Sequence, residues 1–139
     1  MMIQQISVFV ENKPGRLAQI TDFLGKNNVN LFALSIADTT DYGILRIIVE
    51  KPDEVAKLLK KNGFTVSVTD VLAIRIENRP GGLADILNIL AAENIGVEYV
   101  YAFLSREDKE AYVVMRIENG EKAASLLEKN GYAGLSKLA

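Results

Sequence analysis

The chain has 139 residues, 49% of them hydrophobic and 24% charged, with a formal net charge of -2. That is a folded chain of one ordinary or two very small domains, without the basic excess that nucleic-acid binding uses. It contains neither Cys nor His, which excludes disulfides, thiolate and imidazole chemistry and the usual zinc sites, so no metal and no cofactor is expected.

Taken in order, Ile6, Val8 and Val10 alternate with Ser7 and Phe9, the period of a strand. A turn follows at Asn12 to Gly15, and then Leu17, Ile20, Phe23 and Leu24 recur at helical spacing until Asn27-Asn28. Val29 to Ala37 and Ile44 to Val49 read as strands joined by a hairpin turn at Asp38 to Asp41. Pro52 to Lys61 reads as a second helix, opened by Pro and stopped at Asn62-Gly63, and Phe64 to Val68 as a last strand. The same order then recurs as Val71–Glu77, Gly81–Glu93, Ile95–Leu104, Ala111–Ile117, Gly120–Lys129 and Tyr132–Leu135.

The recurrence is a duplication. Shifted by 66 positions, Glu11-Asn12-Lys13-Pro14-Gly15-Arg16-Leu17-Ala18 falls on Glu77-Asn78-Arg79-Pro80-Gly81-Gly82-Leu83-Ala84, and Ile20, Leu24 and Asn28 fall on Ile86, Leu90 and Asn94. Two residues enter the second copy near Arg106 to Glu110. The shift is then 68, with Glu50 on Glu118, Leu58-Leu59 on Leu126-Leu127 and Asn62-Gly63 on Asn130-Gly131. The expected fold is α+β: two tandem ferredoxin-like βαββαβ units, residues 1–69 and 70–139, packed side by side. Right-handed crossovers put both helices of a unit on one face of its sheet. The joint at Thr69-Asp70 has no linker, and a lone unit of about 66 residues is marginal by surface-to-volume scaling.

The turn after each first strand is the repeated feature with chemical content. A helix N-terminus offers unpaired N–H groups and the positive end of a dipole, Gly allows close approach, and an Asn amide can accept from an ammonium or donate to a carboxylate. Together these suit a free amino acid. Asn-x-Pro-Gly is also a good turn in its own right, and duplication copies structure as readily as it copies sites.

The segment Glu77-Asn78-Arg79-Pro80-Gly81, an amphipathic helix, and then Ala92-Glu93-Asn94-Ile95-Gly96-Val97 resembles the ACT domain family. It looks especially like the serine-sensing domain of 3-phosphoglycerate dehydrogenase and also like the small subunits of acetolactate synthase, and the resemblance runs through the whole chain as two copies. It implies a regulatory protein, not an enzyme, that binds a free L-amino acid at a seam between ACT domains. One domain supplies the loop after its first strand and its neighbour supplies the start of its second strand. Carried over, one site takes Asn78, Arg79, Pro80, Gly81, Gly82 and Leu83 with Asn30 and Leu31. The other takes Asn12, Pro14, Gly15, Arg16 and Leu17 with Gly96 and Val97. Gly96 replaces the strand Asn and Arg16 replaces Gly82, so the Asn78/Asn30 site is expected to be the tighter one. The resemblance also implies a partner enzyme of amino-acid metabolism. The alternative is a regulatory subunit that acts mainly through protein contact and binds ligand weakly.

Phe32, Tyr99, Tyr101 and Phe103 fall on the second strands, and Arg46, Arg75 and Arg116 on the sheet face away from the helices. These aromatics predict a homodimer through the sheet face, or else closure between the two copies. An RNA-recognition reading lacks the Lys/Arg-Gly-aromatic run on the third strand, Tyr42-Gly43-Ile44-Leu45 being the nearest approach. The acids Glu11, Glu77, Glu50, Glu118, Asp53 and Glu121 read as partners of helix dipoles. An acylphosphatase-like pairing of Arg16 or Arg79 with Asn30 fits the Pro-Gly turn less well than an amino acid does, so no catalytic residues are assigned. No apolar run approaches the roughly 20 residues that span a bilayer. The first eleven residues do not read as a secretory signal, and a cytoplasmic protein without membrane contact is expected.

Overall fold

The computed structural model describes residues 1–38, 41–104 and 110–135. The tip of the first hairpin, the inserted pair near 106–109 and the last four residues lie outside them. The elements are β1 (Met2–Glu11), α1 (Arg16–Lys26), β2 (Ala33–Asp38), β3 (Tyr42–Ile48), α2 (Pro52–Lys61), β4 (Thr65–Glu77), α3 (Gly82–Ala92), β5 (Tyr99–Leu104), β6 (Glu110–Arg116), α4 (Gly120–Lys129) and β7 (Ala133–Gly134). They fall into two compact units. One is Gln4–Thr69, and the other is Met1–Ile3 together with residues 70–135.

In the first unit β3 lies between β2 and β1, antiparallel to both, with Ser7 and Ser35 opposite Arg46. Alternation sorts the faces. Ile6, Val8, Leu45 and Ile47 point to one side and are buried against Ile20 and Leu24 of α1 and Val55, Ala56 and Leu59 of α2. Both helices therefore cover one face, as right-handed crossovers require. Helix α2 begins at Pro52, with Asp53 and Glu54 in its first turn and Lys60 and Lys61 in its last; all four charges oppose the local end of the helix dipole.

The second unit repeats this plan. Strand β6 lies between β5 and β4, and Leu72, Ile74, Ile76, Val113, Met115 and Ile117 are buried against Ile86 and Leu90 of α3 and Ala123 and Leu127 of α4. Its last strand, β7, has only two residues, opposite Arg75 and Ile74. The same edge is extended by the chain's own start: the Ala73 N–H donates to Met1 O at 2.9 Å and the Leu135 N–H donates to Ala73 O at 2.8 Å. Met1 packs on the second core, and Met1 and Met2 occupy the space beside Gly134 and Gly120 that a Cβ would fill.

Three sequence expectations need correction. Strand β4 is unbroken for 13 residues, because Thr65 to Val71 contains neither Gly nor Pro and nothing bends the chain at Thr69-Asp70. The second strands begin at Ala33 and Tyr99 rather than at Val29 and Ile95. Asn28 and Asn94 take φ of 58° and 56°, and the Val29 and Ile95 amides fold back onto Leu24 O and Leu90 O at 2.9 Å. The apolar residues that follow, Val29 and Leu31 in one copy and Ile95 and Val97 in the other, are partly buried and pack against the cores while the chain crosses from helix layer to sheet. Their hydrophobicity serves burial, not strand pairing. Finally, Phe32 precedes β2 and does not lie on it.

Candidate functional site

The two turns singled out in the sequence share one backbone. In the first, the Lys13 N–H donates to Glu11 O at 2.8 Å and the Arg16 N–H to Lys13 O at 3.2 Å. In the second, the Arg79 N–H donates to Glu77 O at 3.1 Å and the Gly82 N–H to Arg79 O at 3.0 Å. Gly15 and Gly81 take φ of 85° and 83°, a left-handed conformation that costs other L residues roughly 1–2 kcal/mol. Each glycine turns the chain from strand into helix, and its carbonyl accepts from Gln19 or Asp85 at 3.0 Å. No side chain caps α1 or α3 at this end, so the positive end of each helix is left to whatever approaches it. Asn12, Pro14, Gly15, Arg16 and Leu17 are exposed, as are Asn78, Arg79, Pro80, Gly81 and Leu83; Gly82 is buried.

Around this shared frame the side chains differ. Lys13 pairs with Glu11 at 3.1 Å. That hydrogen bond, then the Lys13 charge, then the more distant Arg16 charge hold the Glu11 carboxyl below its ordinary range. Arg16 donates from Nη1 to Gln19 Oε1 at 3.2 Å. In the second turn Arg79 donates from Nε to Glu77 at 2.9 Å, from Nη1 to Pro80 O at 3.2 Å and from Nη2 to Asp85. Its hydrogen bonds to Asp85 and then Glu77 raise its already high pKa further. A Cβ on Gly82 would stand 2.5 Å from Glu77 O, so this turn closes more tightly than the one that accommodates Arg16.

Each unit carries a hollow beside its turn. In the first it measures about 400 Å³ and is lined by Phe9, Glu11, Arg16, Gln19, Tyr42 and Asn62 among others. In the second it measures about 390 Å³, between Arg75, Glu77, Arg79, Gly82, Glu110 and Tyr132. A second pair of hollows lies where α1 and α3 hand over to β2 and β5. One, of about 330 Å³, takes in Asn30, Glu50 and Lys51, and the other, of about 510 Å³, takes in Gly96, Val97, Glu118 and Asn119.

The structure thus separates the predicted site residues within each unit. The Asn12 N–H donates to Asp41 O at 3.0 Å, which places the first turn beside the hairpin end. The Phe32 N–H donates to Ile48 O at 2.9 Å, which places the Asn30-Leu31 run at the opposite end. Asn30, Leu31, Gly96 and Val97 lie in the connections before β2 and β5, a correction to their assignment as strand residues.

Asp85 was not singled out from sequence, although an acid in the first turn of α3, six residues after a turn Arg, is the signal that would have found it. Arg46, Arg75 and Arg116 do lie on the face away from the helices. Arg46 is opposite Ser7 and Ser35, Arg75 opposite Tyr112, and Arg116 opposite Tyr99. Phe103 stacks on Tyr112 there with centroids 5.1 Å apart, and Arg75 and Arg116 reach Glu110 and Glu98 at 3.8 and 3.6 Å. No described helix is long and apolar enough to cross a membrane.

Comparison with known proteins agrees with the fold. Across 99% of its length and 92% of the other's, the chain is 22% identical to a probable acetolactate synthase small subunit from Archaeoglobus fulgidus. It matches a crystal structure of a protein from Bacteroides thetaiotaomicron with a TM-score of 0.91 and 44% identity, over 99% of this chain and 96% of that one. The ligand-free regulatory subunit of aspartate kinase from Thermus thermophilus shares the fold with a TM-score of 0.65 at 14% identity, over 94% and 97% of the two chains. The family of ACT domain pairs matches residues 1–135, both units and both turns included, and the chain belongs to that family.

Proposed function

We propose that this ACT pair is a non-catalytic, cytoplasmic regulatory protein that binds a free L-amino acid at its Asn-x-Pro-Gly turns and passes the bound state to a partner enzyme of amino-acid metabolism. One observation carries the reading: the same exposed turn, with a left-handed glycine ahead of a helix that no side chain caps, recurs in both units. The helix amides suit the ligand carboxylate, and the oxygen of the Asn78 or Asn12 amide suits its ammonium. The second contact, from Asn30 or its counterpart Gly96, is taken from an adjacent ACT unit, which sets the ligand at a seam between units.

A ligand that binds both sides of a seam favours whichever arrangement fits it best. Charge-assisted hydrogen bonds contribute about 1.5–3 kcal/mol each, so two or three of them give affinities between roughly micromolar and millimolar. Thermal-shift measurement against the twenty proteinogenic L-amino acids tests the reading, with stabilisation by at least one of them expected. With that amino acid, calorimetry should show Asn78→Ala weakening binding by about ten-fold or more. Asn12→Ala should weaken it less, since the Asn78 site is paired with Asn30 and the Asn12 site with Gly96. Equal losses would remove the asymmetry.

A second reading draws on the full-length similarity to a probable acetolactate synthase small subunit. On it, the chain holds a catalytic partner by protein contact and binds amino acids weakly. Silence of all twenty amino acids in the thermal-shift series, with retention of a catalytic subunit in co-purification, would select it.

A further inference from the structure

We propose that Arg79 and Asp85 are positioning residues that hold the second unit's turn in its ligand-ready shape, and that the first unit's turn lacks this tie. The inference rests on the reading of the turns as amino-acid sites and deepens it by giving Arg79 a different task. Arg79 sits in the turn where a guanidinium could meet a ligand carboxylate. Each of its three nitrogens already donates one hydrogen bond: Nε to Glu77 at the end of β4, Nη1 to Pro80 O within the turn, and Nη2 to Asp85 in the first turn of α3. One planar fork therefore joins strand, turn and helix, an arrangement that only Arg geometry permits. Gly82 closes the same loop from inside, with no room for a Cβ beneath Glu77 O.

The first unit carries the same backbone with the tie divided. Lys13 stands where Arg79 stands and reaches back to Glu11 at 3.1 Å. Gln19 stands where Asp85 stands and is taken by Arg16 of its own helix at 3.2 Å. Strand-to-turn and helix contacts are both present, but Lys13 is a point donor at the strand side and the helix side is satisfied from within α1. A turn ordered before the ligand arrives loses less entropy on binding. The tied turn is thus the high-affinity one, and the untied turn the adaptable one.

The test uses the full chain and needs no ligand for its first arm. Amide hydrogen exchange of residues 79–84 should accelerate about two- to five-fold in Asp85→Asn, the range expected for an exposed ion pair. Asp85→Glu should restore the slower exchange, and Gln19→Ala should leave residues 13–18 unchanged. Unaltered exchange in Asp85→Asn, at an unchanged melting temperature, would overturn the tie.

The second arm measures binding of whichever of the twenty L-amino acids stabilises the parent chain. If Arg79 acts by position, Arg79→Met and the double variant Glu77→Gln/Asp85→Asn weaken binding to a similar extent, and combining all three weakens it no further. If Arg79 contacts ligand directly, Arg79→Met costs far more than Glu77→Gln/Asp85→Asn, and the proposal fails. Should none of the twenty bind, the proposed function falls while the exchange arm still decides the tie.

Discussion

Gly82 and Arg16 occupy the same place in the two copies, and the difference is enforced by one carbonyl. A methyl group at residue 82 would meet Glu77 O at 2.5 Å, a backbone atom that cannot rotate away. Gly82→Ala should destabilise the second unit by about 1–3 kcal/mol, the usual cost of overpacking, measured as a lower denaturant midpoint at unchanged slope. The opposite exchange, Arg16→Gly, removes a side chain from an open position and meets no such barrier. The turn at Glu11 carries a pH signature. Lys13, by hydrogen bond and then by charge, lowers the Glu11 pKa in the folded chain. A depressed folded pKa stabilises the fold above the unfolded carboxylate value of about 4.3 and loses that contribution as pH falls through the folded value. Glu11→Gln should therefore be less stable than the parent at neutral pH, and the two denaturation midpoints should converge in strong acid. Arg79, raised from an already high value, keeps its charge throughout this range and adds no pH dependence of its own.

At the scale of elements, the short β7 stands out. It is a two-residue strand on β4, and Met1–Ile3 belongs to the second unit beside it. Met1 O accepts from Ala73 while the two methionine side chains lie over Gly134 and Gly120. Deleting Met1–Ile3 should cost at least roughly 1–3 kcal/mol, the Met1 O and β1 ladder hydrogen bonds plus the buried part of two apolar side chains. The loss should appear as faster exchange of the Ala73 amide, whereas Leu45 and Ile47 in the first core keep their protection. Retained protection at Ala73 would show that β7 holds the edge alone. The helices follow their sequences closely. Asn119 caps α4 by accepting from the Lys122 N–H at 3.3 Å, and α2 has Pro at its start and basic residues at its end.

For the whole molecule, duplication reaches below the fold to the hollows. Each unit keeps one beside its turn and one at the far end, while the polar groups lining them have diverged. Divergence of lining on a conserved backbone is what two sites of unequal affinity require. The sheet face of the second unit bears Tyr99, Tyr101, Phe103 and Tyr112, each partly buried, and Phe9 is half exposed on the first unit's equivalent face. Arg75 and Arg116 beside Glu110 and Glu98 give it both charges, which suits self-association. Sedimentation at micromolar concentration should give the mass of a dimer, and replacing Tyr101 with Glu should return it to a single chain. A single-chain mass for the parent would leave that face to a different partner or to none.

Periodicity and punctuation in the sequence determined the element order, the duplication, the face on which both helices sit and the two turns. These are local matters, set by side-chain alternation, by Pro and Gly, and by residues three and four apart. The tertiary structure decided the rest. Val29, Leu31, Ile95 and Val97 look like strand residues because strands and core crossings both need apolar side chains, and only the path of the chain tells them apart. Arg79 reads from the sequence as a turn guanidinium able to bind a carboxylate, and nothing local names its partners within the chain. Asp85, on the first turn of the following helix, is what engages it, and that meeting depends on how strand, turn and helix close in space. The place of Met1–Ile3 beside Ala73 is likewise a long-range pairing between residues some seventy positions apart, which no local pattern encodes.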